Sequence, residues 1–316
     1  MTQATPRVLV LSSAEQPEAA VLNDDFIAKI RERVEGQIEI KWHNYHAVRY
    51  EFDQGSLRVW LAESETELKD FDFVYFKSFF RHSEIAGIIA DYLDATKTPF
   101  VSSELRGHIP LTKLSQLSRL ALAGLPIAKT YFMLHDQWAM EYDRTVELLG
   151  LPFIFKSTDG SGGDENYLIH NEEEFLMALR QYPDLQFIAQ QYIDNDSDLR
   201  VLIVDGDIQL VIKRQRLDTA ATHLNNTSQG AGASLMPVED LSDENRAIAL
   251  RAANVMQREI AGVDLLFELG TGMPYILEVN ASPQIASGAF TNEKLELYSR
   301  YFVKKAHDAR RLKGLE

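Results

Sequence analysis

Cysteine is absent from the 316 residues, which excludes disulfides, thiolate metal sites and a cysteine nucleophile. That absence fits a reducing cytoplasm. Basic residues are in deficit, 32 Lys and Arg against 47 Asp and Glu, and the net charge of −15 leaves no basic footprint for non-specific nucleic-acid binding. No segment approaches the roughly 18 apolar residues of a membrane span. The opening MTQATPRVLVLSS lacks the basic region and longer apolar run of a signal peptide. These absences predict a cytoplasmic protein with neither membrane nor nucleic-acid partners. Catalytic signatures are missing too. There is no H-E-x-x-H or comparable zinc spacing and no local Ser-His-Asp or Cys-His arrangement. The eight histidines are scattered, and His82 and His108 read as surface or loop residues. No G-x-G-x-x-G follows the first apolar run, no G-K-[ST] completes a Walker A loop, and no internal repeat or low-complexity linker interrupts the chain.

What is present is an ordinary globular composition, 45% hydrophobic and 25% charged, long enough for two or three domains. Strand-like runs at Arg7–Leu11, Ile38–Trp42, Phe71–Phe80 and Pro99–Ser102 alternate with helical spacing over Glu18–Val34 and Ile85–Leu93, and Leu57–Ala62 reads as a hairpin element. That alternation predicts an α/β domain with a mostly parallel sheet over residues 1–110. From Pro110 the texture changes. An amphipathic helix over Leu111–Gly124 ends at a glycine, strands follow at Lys129–Met133 and Pro152–Ser157, and helices are expected near Trp138–Leu149 and over Asn171–Arg180. A strand at Gln186–Tyr192 precedes a hairpin over Leu199–Gln215 that turns at Asp205-Gly206. A helix over Asp243–Ile260 has Ser242 as its N-cap. The polar stretch Asp218–Gly232 is a candidate active-site loop. The C-terminal helix over 292–313 has two roles open to it, capping the core or joining a homo-oligomer.

Oxygen-bearing side chains recur near the end. In GVDLLFELGTGMPYILEVNASP, Glu278 and Asn280 are two residues apart, so a strand points both to one face, and a hairpin can set Asp264 opposite them. Such a set suits Mg²⁺, while the simpler reading is polar residues on the solvent face of a half-buried hairpin. Lys156 closes the run PFIFK and is followed by a glycine loop containing Ser161, Gly162 and Gly163, either a phosphate lid or a flexible turn. Lys113 begins its helix, where a solvated lysine is the simple alternative. Gln191, Tyr192 and Ile193 lead into Asp198, a pattern that can take an adenine edge and a ribose hydroxyl or can be an ordinary bend. Arg200, Lys213 and Arg214 concentrate positive charge on one hairpin of an acidic chain.

In this order the features resemble the ATP-grasp superfamily, and in particular its RimK-type carboxylate–amine ligases, from about Leu111 to Gly288. AGVDLL…YILEVNASP is the strongest single match. The resemblance implies a preceding α/β domain, a small lid subdomain over 111–188 and a large subdomain over 189–316 that holds the metal. It implies ATP and Mg²⁺ as cofactors, with Mn²⁺ as the alternative ion. Lys113 and Lys156 would contact the phosphates or the adenine-proximal region, and Ser161, Gly162 and Gly163 would cover the β- and γ-phosphates. Gln191, Tyr192 and Ile193 would line the adenine pocket, and Asp198 would meet the ribose. Asp264, Glu278 and Asn280 would hold the metal. Arg200, Lys213 and Asn226 would steady the γ-phosphate, the acyl phosphate or the incoming carboxylate. The implied substrates are an amino acid and a carboxylate- or amine-bearing acceptor that is a peptide, a protein or a metabolite.

The chain departs from the family pattern at Gln229, where many relatives carry arginine, at Gln284, and in the acidic Asp164 and Glu165 after the lid glycines. Arg214 and Arg216 are the cations available to replace the missing guanidinium. Arg81, ending the FVYFKSFF strand, is a candidate contact for a substrate carboxylate, as Arg214 is. The competing function is a non-catalytic nucleotide- or peptide-binding module on the same fold, and a phosphotransferase or carboxylase ranks last.

Overall fold

The computed structural model describes residues 4–13, 17–107, 112–159, 165–216, 232–283 and 288–314. Its first layer is a parallel sheet of order β2-β1-β5-β6, made by β1 (Arg7–Ser12), β2 (Glu39–Asn44), β5 (Phe73–Phe76) and β6 (Phe100–Val101). A two-stranded hairpin, β3 (Val48–Asp53) with β4 (Ser56–Leu61), stands beside it. Alternation divides β1 and β5 between two cores. Leu9, Leu11, Val74 and Phe76 pack with that hairpin and α2 (Ser83–Ala95). Val8, Val10, Phe73 and Tyr75 face α1 (Pro17–Arg33) and α7 (Thr291–Leu312), the last helix of the chain. The aromatic run over Phe71–Phe80 is therefore a strand only at Phe73–Phe76. Its neighbour β1 ends at Ser12, so the ladder stops, Phe79 turns into the core and Phe80 stacks on it at 5.2 Å.

The second layer is antiparallel, of order β7-β10-β8-β9, from β7 (Thr130–Phe132), β8 (Phe153–Ser157), β9 (Asn166–Ile169) and β10 (Phe187–Gln191). Phe153, Phe155, Phe187 and Ala189 turn to α4 (Tyr142–Leu149) and α5 (Glu172–Gln181), with Phe155 and Phe187 stacked at 4.6 Å. The helix expected near 138–149 is split. Trp138 lies fully buried in a separate helical turn, His135–Met140, edge-on to Phe155 at 5.2 Å. The opposite face carries Ile154, Lys156, Ile188 and Gln190 by alternation.

The third layer is a five-stranded antiparallel sheet, β13-β12-β11-β14-β15, built from β11 (Ser197–Val204), β12 (Asp207–Gln215), β13 (Gly232–Met236), β14 (Ile260–Phe267) and β15 (Pro274–Asn280). Asp205 and Gly206, at φ 57° and 84°, make the expected two-residue turn of β11–β12. Leu199, Val201, Val211, Val263 and Leu265 pack on α3 (Lys113–Leu122) through Leu120 and on α6 (Asp243–Met256) through Ala249, Ala252 and Ala253. Ser242 accepts from Asn245 N at 3.2 Å, as its capping position predicts. The helix stops at Met256 rather than Ile260 because Gln257 turns left-handed at φ 57° and Arg258 N closes onto Ala253 O. Arg258 is thereby buried against Glu104, at 2.8 and 2.6 Å, which ties this layer to the chain leaving β6. The C-terminal helix caps the core. Tyr298, Tyr301 and Phe302 cover the parallel sheet, and Arg310 meets the buried Asp72 at 3.1 Å. No helix among the described residues is long and apolar enough to cross a membrane.

Candidate functional site

Strand alternation sets the chemistry of the five-stranded sheet on one face. Arg200 pairs with Asp264 across β11–β14, Asp264 with Glu278 across β14–β15, and Gly262 with Asn280. Asp264 thus stands directly opposite Glu278, with Asn280 two residues further along the same face. A register shift after Asp264 sets Leu265 against Ile276, so Leu277 is an extra residue that bends β15 beside the acidic pair.

Around Asp264 the charges form a closed network. Arg200 grips it twice, Nε to Oδ1 and Nη2 to Oδ2, both at 2.8 Å. Arg214 Nη2 reaches Oδ2 at 3.0 Å, while its Nε donates to Asp198 Oδ1 at 2.5 Å. Burial pushes Asp264 upward, but the two guanidiniums outweigh it and hold the carboxyl below the usual range. Burial is also the main influence on Asp198, which is pushed up to about 6 although Arg214 opposes the rise. Asp198 is buried in this pair, and Arg214 belongs to the same closed network. Arg216 donates to Asn195 O.

The facing sheet and the start of α3 each bring one lysine within electrostatic range of this face. Lys156 donates to Gln190 Oε1 at 2.9 Å, and Gln190 Nε2 donates to Thr130 Oγ1 at 2.8 Å, a relay across β8, β10 and β7 that aims the ammonium. Burial lowers Lys156 to about 8, aided by Lys113 and opposed by Glu278. Lys113 lies at the start of α3, whose N-cap Thr112 accepts from Ser115 N at 3.2 Å, and its own N–H bonds Thr158 O at the end of β8. Burial lowers it as well, against the opposing charges of Glu278, Asp159 and Glu165. Arg200 too interacts with Glu278. Glu278 is therefore the shared electrostatic centre of three cations from three separate elements.

Ile193 is buried with Ala128 and Leu266, packed against Tyr275 and Leu277, and forms an apolar seam between the two sheets. Gln191 N bonds Lys129 O at 2.8 Å, and Gln191 and Tyr192 are half-buried beside that seam. Lys213 pairs with Leu199, so alternation turns it to the face opposite Arg200 and Asp264. Arg81 is exposed in the turn Phe80–His82, beyond the carboxyl end of β5. Ser161, Gly162, Gly163, Asn226, Gln229 and Gln284 lie outside the described residues.

The residues fit a hard divalent cation by the chemistry of their donor set, two carboxylates and an amide oxygen. Three guanidinium bonds occupy Asp264, and a carboxylate offers about four lone-pair positions. Space is tight beside Asn280. A Cβ on Gly262 would meet Pro283 Cβ at 2.8 Å and Asn280 Cβ at 3.7 Å, and a proline ring has no rotamer by which to swing clear. Gly262→Ala is accordingly expected to destabilise the fold by about 1–3 kcal/mol, read as a lowered melting temperature. An unchanged melt would mean that the chain after β15 yields freely.

Sequence reasoning missed two buried lysines and the role of Gln190, which opens the QQYI run and holds Lys156. Lys77, lowered by burial to about 8, follows an aromatic run and lies over the Phe26 ring at 5.4 Å. Lys294 had no signal, because a lysine in a charged helix reads as solvated.

A family model described as the RimK-like ATP-grasp domain matches residues 112–295. A probable alpha-L-glutamate ligase of Syntrophotalea carbinolica is 28% identical over 175 residues, which cover 54% of this chain and 55% of that protein. The chain spans about half the length of that curated relative. Among solved structures, the ATP-grasp ligase PsnB complexed with minimal precursor superposes at a TM-score of 0.68 with 17% identity, over 96% of this chain and 99% of that one. The D-alanine–D-alanine ligase from Bacillus anthracis complexed with ATP gives 0.67 with 17% identity, over 97% and 96%. At that identity the two likenesses establish the fold, and they extend across the N-terminal layer as well as the matched domain.

Proposed function

The chain belongs to the RimK-like ATP-grasp family, and on that premise we propose that it is an ATP- and Mg²⁺-dependent carboxylate–amine ligase. The observation that carries the reading is the convergence of Lys113, Lys156 and Arg200 on Glu278, with Asp264 across from it and Asn280 beside it. Cations poised about an oxygen-donor set suit a transferring phosphoryl group, whose charge must be offset on all sides.

Asp264, Glu278 and Asn280 would hold Mg²⁺, which supplies charge neutralisation to the phosphates of ATP. Lys113 from the start of α3 and Lys156 from the facing sheet bind phosphate oxygens, and Gln190 fixes where the Lys156 ammonium points. The apolar seam at Ile193, Ala128 and Leu266 lies beside the chain segment that takes the adenine. Arg200 stands where the attacking carboxylate meets the γ-phosphate. A carboxylate oxygen bonds to the γ-phosphorus as the bond to the β-phosphate oxygen breaks, giving an acyl phosphate and ADP. An amine then attacks the acyl carbon, phosphate departs and the amine loses a proton. No protein nucleophile is needed, in keeping with the absence of cysteine. The substrates are an amino acid and a peptide, protein or metabolite acceptor, a reading supported by the ligase names of the relatives.

Two measurements follow. Mg²⁺-dependent ADP release is expected with one pair from a panel of amino acids and carboxylate-bearing peptides, and mass spectrometry should then find a new amide. Binding of MgATP without turnover across the panel would favour the non-catalytic module, for which the engagement of Asp264 by two guanidiniums is the motivating observation. The second concerns pH. Lys156 is cationic below about 8, so MgATP affinity should fall as pH rises through that value. Lys156→Met should bind several-fold more weakly at pH 7 and lose that slope, and titrations from pH 6.5 to about 9.5 would expose a slope that persists.

A further inference from the structure

Among the described residues β15 is the outermost strand of the five-stranded sheet, so the backbone groups on its outer edge have no strand to pair with. At that edge lies Val279, between Glu278 and Asn280, and a single side chain takes both of its main-chain groups. Val279 N donates to Gln116 Oε1 at 2.7 Å, and Gln116 Nε2 donates to Val279 O at 3.0 Å. One glutamine amide thus stands in for a neighbouring strand. Val279 O also accepts from Arg258 Nη1, which uses the second lone pair of the carbonyl. Arg258 is buried and is itself held by Glu104 Oε2, through Nε at 2.8 Å and Nη2 at 2.6 Å.

These bonds fall beside an irregularity. The extra residue Leu277 interrupts the β14–β15 ladder immediately before Glu278, and a bulge re-aims the side chains around it. The strand is pinned on both sides of that residue, since Ile276 N donates to Pro126 O at 2.8 Å. Side chains alternate along a strand, so fixing the Val279 main chain fixes the direction of Glu278 and Asn280 on the opposite face. Gln116 follows Lys113 by three residues on α3, which sets both on one side of the helix. One helix therefore places the Lys113 charge against Glu278 and holds the next residue of the same strand. We propose that Gln116 and Arg258 are positioning residues of the cation site, clamping the Val279 main chain so that Glu278 and Asn280 present their oxygens together; this rests on the metal-dependent ligase reading above. They act through the backbone and not as ligands. Glu104 belongs to the chain leaving β6, so the clamp also ties the site to the N-terminal layer.

Gln116→Met keeps the length of the side chain and removes both of its bonds, and because Gln116 is only half-buried the variant is expected to fold. The probes are preformed MnADP and metal-free ADP in the presence of chelator, so that no turnover occurs. Calorimetry gives the two affinities, and electron paramagnetic resonance reads the environment of the bound Mn²⁺. Wild type is expected to bind MnADP more tightly than ADP. Removing a residue that orients metal ligands typically costs about 10–100-fold in metal affinity, so Gln116→Met should bind MnADP at least about tenfold more weakly, with an altered Mn²⁺ spectrum and ADP affinity within about twofold. Arg258→Lys, which keeps a charge beside Glu104 with fewer donors, should shift the two affinities in the same unequal way. Ile30→Val, buried in the first layer, should lower the melting temperature and leave both affinities unchanged. A Gln116→Met protein that binds MnADP as wild type does, or that loses MnADP and ADP affinity in equal proportion, overturns the clamp. Wild type that binds MnADP no more tightly than ADP would instead sink the metal assignment on which it rests.

Discussion

Glu278→Ala is expected to release no ADP above background under conditions in which wild type turns over. Lys113, Lys156 and Arg200 all interact with this one carboxylate, and it faces Asp264 across the β14–β15 pair. Its removal takes away one of the two carboxylates proposed to hold the cation and leaves three positive side chains without their common counter-charge. Losing a single electrostatic contact in a transition state typically costs 10²–10³ in rate, so a loss of at least about 10³ is expected here. Stability should change little by comparison, by about 1–2 kcal/mol, because Glu278 is half-buried rather than enclosed. A coupled ADP assay beside a thermal melt separates the two effects. A folded Glu278→Ala protein with wild-type turnover would remove the metal assignment.

Asp264→Asn should produce the largest loss of stability at the site. Arg200 and Arg214 both bond this carboxylate in a buried setting, and the variant leaves two guanidiniums facing an amide. Breaking a buried pair by removing one partner costs about 3–5 kcal/mol, here a melting temperature lower by about 5–10 °C, together with loss of turnover. The double variant Asp264→Asn/Arg200→Met should regain part of the stability and none of the activity, since it removes one uncompensated charge but restores no carboxylate. The pH dependence has a definite sign. Burial raises the carboxyl, the guanidiniums lower it further than that, and the net folded value is depressed. Its contribution is therefore complete at neutral pH and is lost as pH falls below the ordinary carboxylate range. A melt of Asp264→Asn that coincides with wild type would show that the guanidiniums find other partners.

Much of the site was legible because strands obey a two-residue period. That period put Glu278 and Asn280 on one face, and the Gly- and Pro-rich turn between the runs predicted a hairpin that brings Asp264 opposite them. The same rule separates Lys213 from Arg214, adjacent residues that a strand must point to opposite faces, although charge alone groups them. Capping at Ser242 and the Asp205-Gly206 turn are equally local and equally readable. The end of α6 was less so, since a left-handed Gln257 has no strong sequence signal.

The sequence by itself determined the alternation within each strand, the turn positions and, through the order of motifs, the family and its fold. Only the tertiary structure decided which strands are neighbours. The order β12-β11-β14-β15 sets Arg214 and Arg200 against an aspartate about fifty to sixty residues away, and so turns Asp198 from a free acceptor into half of a buried pair. The return of α7 to the N-terminal sheet likewise buries Lys294, a lysine that a charged helix by itself would leave in solvent. The reason is physical. Periodicity is a property of neighbouring residues, whereas the charge state of a site depends on burial and on through-space partners that only chain closure supplies.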